Sequence, residues 1–189
     1  MNLVILGAPG SGKGTQAVRL AERFNLRHIS SGNLLRAEVA SGTLLGKQVA
    51  GVMKKGKLVP DEAVLKVVSE VLTDEETTRL GGWILDGYPR TADQAEALED
   101  VLSRNREAVE AVILLQVAAD VLVPRLTNRD RADDTPETVR KRLEVYDREI
   151  EPLLDFYEQR YDVHRVDGSK PIEEVTEDIA GLVDVYDLS

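Results

Sequence analysis

The stretch "NLVILGAPGSGKGT", residues 2–15, decides how this chain is read. Asn2–Leu6 is a short and almost wholly apolar run, the pattern of a strand buried on both faces. From Lys13 to Phe24 the apolar residues Ala17, Leu20, Ala21 and Phe24 return at helical spacing. The turn between them carries Gly7, Gly10, Gly12 and Gly14. In such a unit the N–H groups of the turn and of the first helical turn point at one spot, where the helix dipole also favours an anion. Side chains there would obstruct phosphates or forbid positive φ, so glycine is required. Gly10, Ser11, Gly12, Lys13, Gly14 and Thr15 are therefore expected to hold nucleotide phosphates, with Lys13 reaching the outer ones. The pattern departs from G-x-x-x-x-G-K-[ST] at its last letter. Gly14 follows Lys13, and the hydroxyl arrives one residue late at Thr15. In most such loops that hydroxyl ligates Mg²⁺; here the metal needs phosphates, water and a carboxylate from elsewhere.

Outward from this unit, apolar runs and amphipathic segments alternate. Strands are expected at 27–30, 83–86, 109–117 and 163–166. Helices are expected at 31–40, 45–54, 60–72, 91–103, from about 120, at 135–160 and at 171–186, with bends at Pro124 and Pro152. Near-continuous apolar strands alternating with helices imply an α/β fold with a parallel sheet covered on both faces. Two stretches fit the alternation poorly, 30–59 and "NRDRADD" at 128–134, and read as insertions on the core.

The 189 residues suit one compact domain, and 42% hydrophobic residues suffice for a buried core. A net charge of −10 argues against a nucleic-acid surface. The chain has no cysteine, which removes disulfides and thiolate metal sites and fits a reducing, cytoplasmic setting. The first residues show neither a charged leader nor a long apolar run, so neither a signal peptide nor a membrane span is expected.

"WILDGYPRT", residues 83–91, puts Asp86 at the carboxyl end of a buried strand, where open α/β sheets bind ligands. Asp86 there either holds Mg²⁺ through water or forms the turn before Gly87. Arg125, Arg129, Arg131, Arg140 and Arg142 crowd eighteen residues of an otherwise acidic chain. Arg125 and Arg129 share a face if their helix reaches that far. Arg140 and Arg142 point in different directions, so only one of them faces inward.

"GAPGSGKGTQA", "ISSGNLLRAE", "GKLVPDE", "LDGYPRT", "RLTNRDRADD" and "TVRKRLEVY" occur in the order and spacing of adenylate kinases. The chain resembles that family over essentially its whole length, in the bacterial form with a short lid. In this family G-K-G-T is the ordinary end of the loop. The resemblance implies a P-loop NTPase-type three-layer α/β/α fold with a five-stranded parallel sheet. It further implies a core of 1–29, 60–127 and 135–189, a monophosphate-binding domain at 30–59 and a lid at 128–134. The AMP contacts it implies are Ser31, Arg36, Lys57, Leu58, Val59, Gly87, Tyr88, Pro89, Arg90 and Gln94, together with Arg131 and Arg142. Arg140 is left to solvent. The ATP contacts are the loop, Arg125, Arg129 and the Lys170 carbonyl. Lys13, Arg90, Arg125, Arg129, Arg131 and Arg142 would act on the transferring phosphoryl group.

The residue chemistry agrees in part. Arg36 and Arg90 offer planar forks suited to a monophosphate. Gln94 can donate and accept at once, as an adenine edge requires, yet "TADQ" is also a capping box with Thr91 at the cap. Asp133 and Asp134 either orient the lid arginines or cap the next helix. Asn33 stands where many relatives carry an acidic residue. A lid too short and without cysteine excludes the zinc site of longer relatives. His28 and His164 read as structural. The resemblance implies Mg·ATP, AMP and ADP as partners, and the lack of a long apolar surface stripe points to a monomer. The rival readings are a pyrimidine monophosphate kinase and a non-catalytic nucleotide-binding protein.

Overall fold

The computed structural model describes residues 1–127 and 135–186; the expected lid at 128–134, with Arg129, Arg131, Asp133 and Asp134, lies outside them. Five strands form one sheet: β1 (Asn2–Gly7), β2 (Arg27–Ser30), β3 (Trp83–Asp86), β4 (Ala111–Gln116) and β5 (Val163–Asp167). Their order is β2-β3-β1-β4-β5 and every pairing is parallel. β2 and β3 thus lie on one side of β1, and β4 and β5 on the other. A crevice opens at the carboxyl end of the central strand, where such sheets bind ligands. Asp86 pairs with Ile5 on one side and Ser30 on the other, so three strand ends converge there.

Alternation along β1 builds the two outer layers. Leu3 and Ile5 pack against Ala17 and Leu20 of α1 (Lys13–Phe24) and Ile179 and Val183 of α9 (Ile172–Val183). Val4 and Leu6 share the opposite cluster with Val64 and Val68 of α4 (Asp61–Leu72), Leu98 of α6 (Ala92–Arg104) and Tyr157 of α8 (Pro136–Glu158). Burial of this apolar area, at about 25 cal/mol per Å², is what holds the three layers together. The segment after β2 turns directly into α2 (Ser31–Ala40) and then α3 (Leu44–Lys54), with no strand between them. Thr43 caps α3 by accepting the Gly46 N–H at 2.9 Å.

Several boundaries differ from expectation, each for a local reason. α4 starts at Asp61 because Pro60 is its cap, and Thr91 caps α6. β4 starts at Ala111; Val109 is buried ahead of it, and the Glu110 N–H bonds the Asn2 carbonyl at 2.8 Å. A short helix, α5 (Glu75–Arg79), was not anticipated; Asp74 caps it by accepting the Thr77 N–H at 2.7 Å. Pro124 lies inside α7 (Ala119–Thr127) and Pro152 inside α8. The last helix tightens into a 3₁₀ turn at Asp184–Tyr186. Among the described residues no helix is long and apolar enough to cross a membrane.

Candidate active site

The turn between β1 and α1 takes up backbone angles open to glycine: Gly10 has φ +84° and Gly12, at the cap of α1, has φ +95°. Ser11 is buried beneath it, and its Oγ has no hydrogen-bond partner, a polar atom left over inside the turn. Lys13 Nζ lies 3.3 Å from the Ala8 carbonyl, folded over the turn. Gly14 explains the missing hydroxyl. A Cβ at that position would stand 3.2 Å from Asp86 Oδ2, closer than ordinary van der Waals contact. A side chain there would push the carboxylate away; glycine lets Asp86 come up to the loop in place of the absent Ser or Thr.

Asp86 is nearly buried, which by itself would raise its pKa. His28, Lys13 and Arg90 outweigh that burial and hold the carboxyl below the usual carboxylate range. His28 Nε2 stands 3.6 Å from Asp86 Oδ2, beyond hydrogen-bond distance. His28 therefore belongs to the site that sequence reading left it out of. Only the pairing of β2 on β3 reveals this, because it sets His28 beside Ile84, two residues before Asp86.

Across the cleft the chain gathers cations. Arg90 is closely surrounded by protein yet exposed to the cleft. Reduced hydration lowers its pKa; Asp86 opposes this, and the neighbouring Arg142 and Arg36 push it down further. Three guanidinium groups that repel one another mark a place meant for an anion. Arg90 Nε donates to the Gly87 carbonyl at 2.7 Å, and Ser31 Oγ donates to the same carbonyl at 2.7 Å. Arg36 Nη2 donates to Asn33 Oδ1 at 2.6 Å. Arg142 lines the cleft while Arg140 is exposed.

One cleft of about 1040 Å³ joins these groups. That is the upper end of the range of small-molecule sites, roughly 300–1,000 Å³. Gly10, Ser11, Gly12, Lys13, Gly14, Thr15, Asp86, Arg125 and Lys170 line it, as do Ser31, Arg36, Lys57, Leu58, Val59, Gly87, Pro89, Arg90, Gln94 and Arg142. Tyr88 does not line it: its ring is buried in the core and its hydroxyl donates to the Gln94 carbonyl at 3.1 Å. Arg125 Nη1 donates to the Gly168 carbonyl at 3.0 Å, and the Lys170 ammonium turns away to Asp178 at 2.6 Å. Only the main chain of Lys170 is thus left for a ligand. His28, Met53 and Tyr146 also line the cleft and carried no sequence signal. Among the described residues no group of three or more His, Cys, Asp or Glu could hold a metal by itself.

Fold and cleft together define a nucleotide-binding kinase of the phosphate-loop class, with a glycine cradle on one side and an arginine cluster on the other. A family model described as adenylate kinase matches residues 5–162. An adenylate kinase of Xanthomonas campestris pv. campestris is 49% identical over 95% of this chain and 97% of its own length. One from Stenotrophomonas maltophilia is 48% identical over 93% and 95%, and one from a Synechococcus strain 46% over 92% and 93%. The chain belongs to the adenylate kinase family and is a phosphotransferase.

Proposed function

We propose that this protein transfers the terminal phosphoryl group of Mg·ATP to AMP, giving two ADP, reversibly and by direct in-line displacement. One observation carries the reading. A phosphate cradle and a second, separate cluster of guanidinium groups open onto the same cleft. Binding of ATP alone would need only the first.

The loop and Lys13 hold the donor phosphates, and Arg36, Arg90 and Arg142 hold the acceptor phosphate. Arg125, with Arg129 and Arg131 of the lid, completes the positive ring around the transferring group. Such preorganised charge is the main source of rate in phosphoryl transfer. The acceptor oxygen is already anionic, so no base has to take a proton from it. The buried Ser11 Oγ, the space beside Gly14 and the ionised Asp86 fit a magnesium–phosphate group. Asp86 would hold Mg²⁺ through water, and the bound ion would supply positive charge that offsets the charge of the donor phosphates. The core comprises 1–29, 60–127 and 135–189; the acceptor domain is 30–59 and the lid 128–134. Closure of the two insertions would exclude water, which otherwise accepts the phosphoryl group. Among the described residues, the large exposed apolar side chains Val18, Leu44, Ile172 and Val185 stand on separate elements, which supports a monomer. The absence of cysteine supports a cytoplasmic setting.

The test is a coupled assay of ADP formation from ATP with AMP, UMP, CMP and GMP in parallel. AMP should dominate. A preference for UMP or CMP would replace the acceptor, and no product with any monophosphate would remove the kinase reading.

A further inference from the structure

The cleft wall reads the acceptor base through a glutamine whose orientation is set by a residue outside the cleft. Gln94 is only 2% exposed. Its Oε1 accepts the backbone N–H of Arg90 at 2.8 Å, and its Nε2 donates to Asp61 Oδ1 at 2.6 Å. Its own N–H is taken by the Thr91 hydroxyl at 3.2 Å, so the first turn of α6 is fixed as well. A primary amide has two N–H donors and two acceptor lone pairs. One of each is used by the protein, and one of each remains for the cleft that Gln94 lines. Asp61, the first residue of α4, is exposed and is not part of the cleft lining.

A flipped amide would set its NH₂ against the Arg90 N–H and its oxygen against the Asp61 carboxylate. Both contacts would be repulsive. Only one orientation is therefore allowed, and it matters for recognition. A 6-aminopurine presents an acceptor at ring N1 beside a donor amino group. A 6-oxopurine presents the reverse, a donor at N1 beside an acceptor oxygen. An amide free to rotate by 180° serves both; an amide that is pinned serves one. We propose that Asp61 is a specificity-positioning residue, which holds the Gln94 amide in the orientation that selects a 6-aminopurine monophosphate over a 6-oxopurine one. This rests on the acceptor reading above.

Asp61→Asn tests it, because the new side-chain amide can donate as well as accept and so removes one of the two contacts that oppose a flip of Gln94, leaving only the Arg90 N–H. The measurement is kcat/KM for AMP and for IMP at saturating ATP, in the unaltered protein and the variant, with KM for ATP as a control. The ratio of AMP to IMP should fall by about fivefold or more, the worth of one net hydrogen bond, through a rise for IMP as well as a loss for AMP. KM for ATP should not change. Asp61→Glu, which retains an acceptor-only group, should keep the ratio closer to the original. An unchanged ratio in Asp61→Asn, or equal losses with both monophosphates, would overturn the proposal while leaving the kinase reading intact. No turnover of AMP by the unaltered protein would instead overturn the kinase reading.

Discussion

The two sides of the cleft, one proposed for the donor and the other for the acceptor, are built differently. The donor side is made of backbone: a strand, a glycine turn at φ angles of +84° and +95°, and a helix N-terminus, all within fourteen consecutive residues. The acceptor side is made of side chains held by distant partners. Ser31 is tied to Gly87, Gln94 to Asp61, and Arg90 lies beside Asp86, Arg36 and Arg142. The first kind of site tolerates little change in any one residue but needs no support from elsewhere. The second divides its task among groups that can each be weakened separately.

The largest expected effect falls on the donor side. Lys13→Met should lower kcat by about a thousandfold or more, since it removes a preorganised charge at the transferring group, while the melting temperature stays within a few degrees. A coupled ADP assay and a thermal melt check both; an undiminished rate would remove Lys13 from its role. Gly14→Ser supplies the hydroxyl that the commoner loop carries, yet it should slow turnover by about tenfold, because displacing a positioned group by a fraction of an ångström is costly. The new Cβ lies 3.2 Å from Asp86 Oδ2 and forces that carboxylate aside. A rate equal to or above the original would show that Asp86 need not approach the loop.

On the acceptor side the effect should be of the same order but confined to one substrate. Arg36→Lys replaces a planar fork by a point charge and should raise KM for AMP by about tenfold, with KM for ATP unchanged. Equal changes in both constants would mean that the two sides are not separable. The smallest effect belongs to the loop after β5, where Asp167 Oδ1 accepts the Ser169 hydroxyl at 2.5 Å and its N–H at 2.9 Å. These bonds hold the exposed Asp167 carboxyl below the ordinary range. Because its folded-state pKa is depressed, its contribution to stability is complete above about pH 4, the unfolded value. That contribution is lost as the pH falls through the lower folded value. Asp167→Ala should raise KM for ATP about twofold and leave KM for AMP alone. The small difference in melting temperature from the unaltered protein should vanish on acidification below the folded value.

The same contrast decides what could be read in advance. The strands, the loop and a parallel sheet were legible because they depend on periodicity, on strand–helix alternation or on glycine at a turn, while the five-stranded three-layer form came from the resemblance. The cluster of Arg36, Arg90 and Arg142 needed the resemblance, since 106 positions separate the first from the last. His28 was read as structural, and only strand pairing brings it to Asp86. Gln94 was read as an adenine contact, with the third position of a capping box as the alternative. The Thr91 cap does form, but Gln94 Oε1 reaches the N–H of Arg90, one residue before the cap, and Nε2 reaches across to α4. Tyr88 was grouped with its neighbours as a contact, whereas its large ring is more stable in the core. The helix at Glu75–Arg79 was too short for a periodic signal, although Asp74 is a recognisable cap.

The position of β1 at the middle of the sheet has a consequence for how the molecule is made. Residues 2–7 are synthesised long before their sheet neighbours, 83–86 on one flank and 111–115 on the other. This largely apolar strand must therefore wait, unpaired, until residues 83–86 and 111–115 have been synthesised. Long-range parallel pairing of this kind forms slowly and leaves sticky edges open meanwhile. The nascent chain is most vulnerable to aggregation in that interval, and translation speed across residues 80–115 should govern the yield of native protein.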